Sequence, residues 1–413
     1  MPETPGFPAR RAAMRLLDAV LRRGETLDQA MSSSTKGLDH FADRALARAI
    51  AGDALRYMVD LDALIDSATR KNLPDDAKAR MVLRIMLVQW LQLDTPPHAV
   101  IATGLPLLQG GPRKLAHGVF STLVRQEVKL PEVPTLPDRV MMRWGERGED
   151  IARGLAVPPA VDLTLRNPEE TAQWTEKLGG ISLARGHVRL ARGATISELP
   201  GYAEGEWWVQ DLAASLPARL LGAGEGRTVL DLCAAPGGKT LQLAAAGWKV
   251  TALDISDKRL ERLRENTERT GLAAEVIVAD ALEWQPEGQF DTILLDAPCT
   301  ATGTCRRHPD VLHRIGSRQI DEMADLQEDL LQRASTWLKP DGQFVYAVCS
   351  LEEEEGVKQN FPAALTPDPI SADECPESLA GACSGNHIQT HPGMHAEAGG
   401  LDGFFIARFR RAV

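Results

Sequence analysis

The sequence predicts an α/β protein in which a doubly wound, mainly parallel sheet follows an all-α domain and a small mixed α/β segment. Apolar residues recur every three or four positions through the first third of the chain, which is typical of helices. From Thr228 onward short apolar strands alternate with helices, which is typical of a parallel sheet covered on both faces. Because 413 residues exceed one ordinary core, we expect a helical domain, a linker, the mixed segment and a sheet domain, at 1–130, 131–140, 141–222 and 223–413.

The predicted helical domain is a small bundle. Pro96, Pro97 and the Gly-Gly-Pro stretch 110–112 separate its amphipathic helices. The most apolar stretch, Met81–Leu93, contains Arg84 and is too short to cross a membrane, so we expect a buried core helix. The Pro-rich sequence LPEVPTLPD that follows the bundle suits a linker.

Charge is distributed unevenly along the chain. The net charge of −11 taken alone argues against a nucleic-acid partner, but residues 1–130 contain 18 Lys and Arg against 14 Asp and Glu, and the remainder contains 28 against 43. A basic end suits contact with phosphates, although chance variation between domains explains it equally well. Six cysteines in this length do not indicate a disulfide scaffold, and no apolar signal segment precedes the first helix. We therefore expect a cytoplasmic, monomeric protein with reduced thiols and no membrane association.

The later part of the chain contains the predicted strands. In the mixed segment VDLTLRN and HVRLA are typical of strands, TAQWTEKLG of a helix, and GEWWVQDLAASLPARLL of a strand that runs into a helix. The sheet domain is predicted to run in this order: TVLDLC, a helix after Gly238, KVTALD, a helix over 257–270, EVIVAD, FDTILLD, a helix around 322–338, and QFVYAVC. The final stretch DGFFIARFRR alternates and predicts an edge strand.

The strongest motif is TVLDLCAAPGGKTLQLAAA (Thr228–Ala246), in which a strand ends in a glycine loop that opens a helix, so that backbone can approach a ligand closely. A Walker phosphate loop needs glycine where Cys233 stands, and the dinucleotide pattern G-x-G-x-x-G is absent. S-adenosylmethionine remains, because its ribose needs a carboxylate, which Asp254 supplies after the second strand. Asp254 could instead cap the next helix. Asp280, after EVIVAD, could meet the adenine amino group.

Two cysteines also follow strands of this sheet. Cys299 comes after FDTILLD together with Asp296, and Cys349 comes after QFVYAVC, so parallel strands bring them to the face that binds the cofactor. Carbon 5 of cytosine is too poor a nucleophile to accept a methyl group directly, but thiolate addition to carbon 6 activates it. Asp296 could then hold the N3 side of the ring, and a second thiol could assist removal of the carbon 5 proton. A cysteine at a strand end is otherwise most often a packing residue.

Two further groups of residues stay open to more than one interpretation. Arg306 and Arg307 follow the Cys299 loop and would suit substrate phosphates, or could pair with the acidic run 352–355. Near the C-terminus five potential metal ligands crowd together: Cys375, Cys383, His387, His391 and His395. Their spacing lacks a C-x-x-C pair, so we expect an ordinary loop and no metal.

Together these motifs resemble those of the RNA 5-methylcytosine methyltransferase family, and within it the ribosomal RNA enzymes. DLCAAPGGKT, LDAPCTATG, RRHPD and DGFFIAR are highly specific in combination, and the resemblance covers nearly the whole chain. It implies a class I, Rossmann-like methyltransferase domain, S-adenosylmethionine as methyl donor and RNA, most of all 16S ribosomal RNA, as substrate. It also implies a NusB-like RNA-binding fold for the helical domain.

The resemblance also assigns individual residues. The family's nucleophile falls on Cys349 and its product-release cysteine on Cys299, whereas DNA cytosine-5 methyltransferases attack with the Pro-Cys cysteine. Val348 stands where the family usually has threonine, which leaves the hydrogen bonding around the nucleophile in doubt. The family's cofactor contacts fall on the glycine loop and three strand ends: Cys233, Ala234, Ala235, Pro236, Gly237, Gly238, Lys239, Asp254, Asp280 and Asp296.

Two other functions stay possible from the sequence. One is a non-catalytic RNA-binding protein on a degenerate methyltransferase scaffold, against which the intact glycine loop and both cysteines argue. The other is a methyltransferase of the same fold that acts on DNA or transfer RNA, and the helical domain favours ribosomal RNA through the family resemblance alone. In each catalytic case we expect a flipped-out or single-stranded target base.

Overall fold

The computed structural model describes residues 5–156 and 159–412. Its α-helices are α1 Phe7–Arg23, α2 Leu27–Ser34, α3 Phe41–Arg56, α4 Met58–Ser67, α5 Lys78–Leu91, α6 Pro97–Gly104, α7 Gly110–Arg125, α8 Asp138–Trp144, α9 Arg147–Ala156, α10 Thr171–Leu178, α11 Leu212–Arg219, α12 Gly238–Ala245, α13 Asp257–Thr270, α14 Val311–Arg314 and α15 Ser317–Ser335. Its strands are β1 Val161–Leu165, β2 His187–Leu190, β3 Trp207–Val209, β4 Thr228–Leu232, β5 Lys249–Asp254, β6 Ala274–Val278, β7 Phe290–Asp296, β8 Leu338–Val348, β9 Leu365–Pro367, β10 His387–Gln389 and β11 Phe405–Arg411. Short 3-10 helices lie at Leu105–Leu107, Pro168–Glu170, Ile196–Glu198, Thr302–Thr304, Ala372–Glu374, Glu377–Ala382 and Ala396–Ala398.

The chain forms two compact units. The first consists of Met1–Ala156 and Cys305–Ile315, and the second of Val157–Thr304 and Gly316–Val413. The first unit is the predicted helical bundle, and the second contains every strand described above.

Helix α5 is the core of the first unit, as its apolar sequence predicts. Its side chains are buried from Ala79 through Gln89. Arg84 is accommodated there because its guanidinium donates two hydrogen bonds, of 2.7 and 2.6 Å, to the carboxylate of Asp62. No helix within the described ranges is long and apolar enough to cross a membrane.

The first unit extends beyond the predicted linker. Residues 126–137 contain no helix, as their Pro-rich sequence predicts, but α8 and α9 then join the first unit and not the mixed segment. The segment Cys305–Ile315 joins it as well: Arg56 Nη2 donates to the carbonyl of Arg306 at 2.8 Å, and His313 Nε2 lies 2.7 Å from the carbonyl of Leu55. Local periodicity does not predict these contacts, because each joins positions at least 250 residues apart.

A small antiparallel sheet forms the mixed segment. Its strand order is β2-β1-β3, and α10 and α11 lie where the sequence predicts helices. Leu163, Val188 and Trp207 are fully buried on it. The strands and helices predicted for this segment are confirmed.

The main sheet has the order β10-β11-β8-β7-β4-β5-β6, with β9 paired to β11. Strands β4 to β8 are parallel, which confirms the doubly wound prediction. Strand β11 is antiparallel to β8 on one side and to β10 and β9 on the other, so the predicted edge position is wrong. Short strands that carry little sequence signal, Leu365–Pro367 and His387–Gln389, cover that edge. Helix α15 also begins and ends earlier than predicted, because β8 already starts at Leu338.

The order of the main sheet reverses next to β4. From β4 the chain adds β5 and β6 on one side and then β7 and β8 on the other. Loops that leave the carboxyl ends of neighbouring strands diverge at such a reversal and open a crevice for ligands. Cys233, Asp254, Asp296 and Cys349 are at or directly after the ends of four of these strands.

Candidate active site

A cavity of about 590 Å³ lies at the carboxyl ends of these strands, a volume that suits a small-molecule ligand. It brings together residues that the sequence predicts from five separate strand ends: Cys233, Asp254, Asp280, Asp296, Cys299 and Cys349. Its wall also contains residues that the sequence did not indicate: Ile255, Arg259, Leu282, Leu326 and Leu330. Of these, only Ile255 could have been suspected from the sequence, because it directly follows Asp254, the predicted ribose-binding carboxylate.

The glycine loop connects β4 to α12 beside this cavity. Cys233 takes a positive φ of 60°, and Gly237 takes a φ of 105° as the residue before the helix. A Cβ atom at Gly237 would lie 2.8 Å from Cγ of Leu263 on α13, so only glycine lets the loop pack this closely. The first glycine of the pair therefore serves close packing of the loop against a helix.

Asp254 ties the end of β5 to the glycine loop. Its side chain accepts hydrogen bonds from the backbone N–H of Ala235 at 3.2 Å and of Ser256 at 2.9 Å. The helix α13 is capped instead by Ser256, whose hydroxyl accepts from the N–H of Arg259 at 3.4 Å. The alternative that Asp254 merely caps this helix is therefore wrong. Asp280 lies across the cavity at the end of the next strand, where its carboxylate accepts from the N–H of Leu282 at 2.9 Å.

Lys239 forms an ion pair at the edge of this site. Its Nζ donates to Oδ2 of Asp296 at 2.7 Å and lies 5.3 Å from the ring centre of Phe404. Burial alone would lower the pKa of Lys239, but the charge and hydrogen bond of Asp296 and the charge of Cys349 raise it. The sequence resemblance assigns Lys239 to cofactor binding, whereas the structure places its ammonium beside Asp296.

The two cysteines of the prediction are in contact. The sulfur atoms of Cys299 and Cys349 lie 3.4 Å apart, and both face the cavity. The hydrogen bond with Cys349, then burial, then the charges of Cys349 and Glu355 raise the pKa of Cys299 well above its usual value. Cys299 is therefore the sulfur that keeps its proton.

Val348 does not take part in this site. It is fully buried with Phe344 and Tyr346 in the apolar cluster on one face of β8, whereas Cys349 packs with Val345 on the other face. Val348 and Cys349 lie on opposite faces because successive side chains of a β-strand point to opposite sides of the sheet. A threonine hydroxyl at this position would be directed into the core.

Three other cysteines do not belong to the Cys299–Cys349 pair. Cys305 is fully buried, which raises its pKa to about 12, and it belongs to the first unit. Cys375 and Cys383 form a disulfide bond, so the expectation that all thiols are reduced is wrong for this pair. Of the neighbouring histidines, His395 lies with Nε2 2.7 Å from the carbonyl of Ser378. Within the described residues no three Cys, His, Asp or Glu side chains are grouped as a metal site.

The two predicted RNA-contacting arginines differ in exposure. Arg306 is 1% exposed inside the first unit, so its side chain does not fit the expected contact with phosphates. Arg307 is half-buried. The sequence did not distinguish them, because adjacent residues of a loop can face opposite directions.

Comparison with known proteins identifies close sequence relatives. The family model described as 16S rRNA methyltransferase RsmB/F matches residues 218–410, and that of the NusB family matches residues 8–108. The ribosomal RNA small subunit methyltransferase B of Klebsiella pneumoniae is 34% identical, with 97% of both chains covered. That of Shewanella oneidensis is 33% identical, with 97% of this chain and 98% of the relative covered.

Two solved structures share the fold. The protein PH0851 aligns with a TM-score of 0.69 at 22% identity and covers 99% of each chain. A methyltransferase homologue from Pyrococcus horikoshii aligns with a TM-score of 0.53 at 28% identity, over 66% of this chain and 93% of its own.

Proposed function

The chain belongs to the RsmB/F family of 16S rRNA methyltransferases, and from this we propose that Cys349 bonds transiently to carbon 6 of a cytosine so that carbon 5 accepts a methyl group. The enzyme is an RNA cytosine-5 methyltransferase, and the substrate we propose is small-subunit ribosomal RNA. One observation carries the mechanism: two sulfur atoms 3.4 Å apart on the wall of a ligand-sized cavity.

The cavity suits S-adenosylmethionine. Carboxylates stand at the ends of two neighbouring strands, where Asp254 would accept from ribose hydroxyls and Asp280 from the adenine amino group. Backbone of the glycine loop, 233–239, would hold the methionyl end close to the start of α12. When bound, this cofactor supplies an electrophilic methyl group.

Cys349 acts in this proposal as a thiolate. The charge of Cys349 is one of the causes that raise the pKa of Lys239, after the charge and hydrogen bond of Asp296, so a charged sulfur and the ammonium attract each other. Cys299 keeps its proton and can donate it in a hydrogen bond to the neighbouring sulfur. Asp296, held by Lys239 at 2.7 Å, would accept a hydrogen bond from the amino group next to N3 of the base as carbon 6 is attacked.

Release of the product requires a base. After methyl transfer, carbon 5 carries a proton that must leave before the bond between Cys349 and carbon 6 can break. Two causes of the raised pKa of Cys299 are the hydrogen bond with Cys349 and the charge of Cys349, and both end once that sulfur is bonded to carbon. Cys299 can then lose its proton to solvent and accept the one from carbon 5, whose bonding electrons form the double bond between carbons 5 and 6 and release Cys349 as a thiolate.

The decisive experiment gives labelled S-adenosylmethionine and total RNA to the wild type, Cys349→Ala and Cys299→Ala. We expect no methylation and no adduct from Cys349→Ala, and an accumulating covalent protein–RNA complex from Cys299→Ala. Cys305→Ala, in the other unit, is the matched control and should methylate like the wild type. The reverse pattern in the two site variants would exchange the proposed roles, and bisulfite sequencing of the labelled RNA identifies the modified base.

We also propose that the first unit contributes to RNA binding. Four basic side chains line a cavity of about 490 Å³ on it: Arg15, Arg22, Arg23 and Lys78. Arg22 and Arg23 also pair with Asp18, so the net positive charge comes mainly from the other two. The double variant Arg15→Glu/Lys78→Glu should weaken RNA binding about tenfold or more and reduce its salt dependence, measured by filter binding at two salt concentrations.

A further inference from the structure

Glu355 is a buried carboxylate near the paired cysteines. It is 0% exposed and stands last in the acidic run of four glutamates after Cys349. Two hydrogen bonds to its oxygens come from Thr300, through the backbone N–H at 2.9 Å and through the hydroxyl. A third comes from the Ser350 hydroxyl at 2.6 Å, and a fourth from the Gln327 amide of α15 at 2.9 Å.

The donors come from the loops that carry the two sulfurs. Thr300 directly follows Cys299, and Ser350 directly follows Cys349. One carboxylate therefore joins two segments that are 50 positions apart in sequence at the residues next to their cysteines.

On this basis we propose that Glu355 is a positioning residue of the methyltransferase: its carboxylate holds the Cys299 and Cys349 loops together so that the two sulfurs stay in contact. The proposal rests on the proposed function for its catalytic consequence. Its geometric part, the contact between the sulfurs, can be tested without RNA or a methyl donor.

Direct hydrogen bonds also join the two loops, among them one from the N–H of Leu351 to the Thr302 hydroxyl at 3.0 Å. The hydroxyls of Thr300 and Thr302 each lie 3.2 Å from the Ser350 hydroxyl, and the N–H of Gly303 donates to the carbonyl of Cys349 at 3.0 Å. The two hydroxyls converge on Ser350 Oγ, which itself donates to Glu355. Removing the carboxylate would leave the Thr300 and Ser350 hydroxyls and the Gln327 amide without their common acceptor in a buried place.

Glu355 is also fixed from its other side. The Tyr346 hydroxyl lies 2.8 Å from the backbone carbonyl of Glu355 and 2.9 Å from Oε1 of Gln327. Burial raises the pKa of Glu355, and the hydrogen bonds from Ser350, Thr300 and Gln327 oppose that effect. The carboxylate is thus held by Gln327 of α15 as well as by the cysteine loops, and Tyr346 of β8 holds the backbone of Glu355.

The test measures sulfur contact and turnover in Glu355→Ala, with Glu354→Ala as the matched control. Glu354 is the preceding glutamate, but its side chain is 43% exposed and pairs with Lys358. Diamide, which takes two electrons and two protons from a pair of thiols, converts sulfurs in contact to a disulfide. Mass mapping of unreduced peptides then follows the Cys299–Cys349 linkage over time.

We expect Glu355→Ala to form this linkage about tenfold more slowly than the wild type and to lose about 100-fold in kcat, because displacing reacting groups by about 1 Å costs that much. The Kd for S-adenosylmethionine should stay within about twofold, since Glu355 lies outside the cavity lining. Glu354→Ala should match the wild type in each measurement. Glu355→Gln, whose amide can still bond both loops, should restore much of the linkage rate.

Ser350→Ala provides a second test if Glu355→Ala does not fold, as checked by thermal unfolding. It removes one donor from the Cys349 loop and should slow the linkage in the same direction by a smaller factor. Wild-type linkage rates and kcat in folded Glu355→Ala would overturn the proposal. If Glu355→Ala is unfolded, wild-type values in Ser350→Ala would overturn it. Methylation by Cys349→Ala would instead refute the proposed function, while the linkage rates would still decide the role of Glu355.

Discussion

The two sulfurs of the site are chemically identical and 3.4 Å apart, yet they interact with different charged groups. On the Cys349 side, Lys239 provides a buried ammonium whose pKa reflects the charge of that sulfur. On the Cys299 side, Glu355 provides a buried carboxylate that adds to the causes keeping Cys299 protonated. In the proposed mechanism, neighbouring charge, and not the thiol itself, distinguishes the nucleophile Cys349 from the proton carrier Cys299.

The largest expected effect comes from removing the positive charge of Lys239. Lys239→Met should lower the single-turnover rate of methyl transfer about 100- to 1000-fold, because both Cys349 and Asp296 lose a preorganised positive neighbour. Lys249→Met, at the exposed start of β5, is the control and should react at the wild-type rate. A rate for Lys239→Met within about threefold of the wild type would remove the electrostatic basis of the comparison.

A second test removes a negative charge on the Lys239 side without touching either sulfur. Asp231 is fully buried, accepts from the Thr240 hydroxyl at 2.6 Å, and has its pKa raised to about 7, mainly by burial. Because its pKa is higher in the folded than in the unfolded chain, its contribution to stability is complete below about pH 4 and is lost as pH rises through about 7.

Relative to Asp231→Asn, the wild type should therefore lose roughly 2–4 kcal/mol of unfolding free energy between about pH 4 and pH 8. Urea unfolding of both proteins across this range measures the difference. If the unfolding free energies of the two proteins changed in parallel with pH, Asp231 would not be protonated in the folded protein at the lower end of this pH range.

The smallest expected effect concerns the reactivity of the two thiols. Both are half-buried, so exposure does not separate them. At neutral pH and without RNA, iodoacetamide should modify Cys349 about tenfold faster than Cys299, because the pKa of Cys299 is raised well above its usual value. Peptide mass analysis at timed intervals gives both rates, and Lys239→Met should reduce the difference. Faster modification of Cys299 would reverse the comparison.

Local sequence patterns were sufficient to predict most helices and strands of the sheet domain. The glycine loop, the strands β4 to β8 and the helix Asp257–Thr270 follow from apolar runs, glycines and caps that act within a few residues. The end of each strand also identified Asp254, Asp296, Cys299 and Cys349 as neighbours, because parallel strands end at one edge.

Other features depend on residues that are distant in sequence. The internal position of β11 depends on short strands that pair with it, and the membership of Cys305–Ile315 in the first unit depends on contacts with residues about 250 positions away. The burial of Arg306 follows from that same packing. None of these has a periodic signal in its own segment.

The sequence by itself determined the fold class, the ligand-binding edge and the identity of the chemical groups, because these depend on local periodicity and on the order of strands. Only the tertiary structure decided which glutamate joins the cysteine loops, which lysine pairs with Asp296 and which arginine is withdrawn from the surface. Burial and charge proximity are properties of three-dimensional packing, and they give like side chains unlike chemistry.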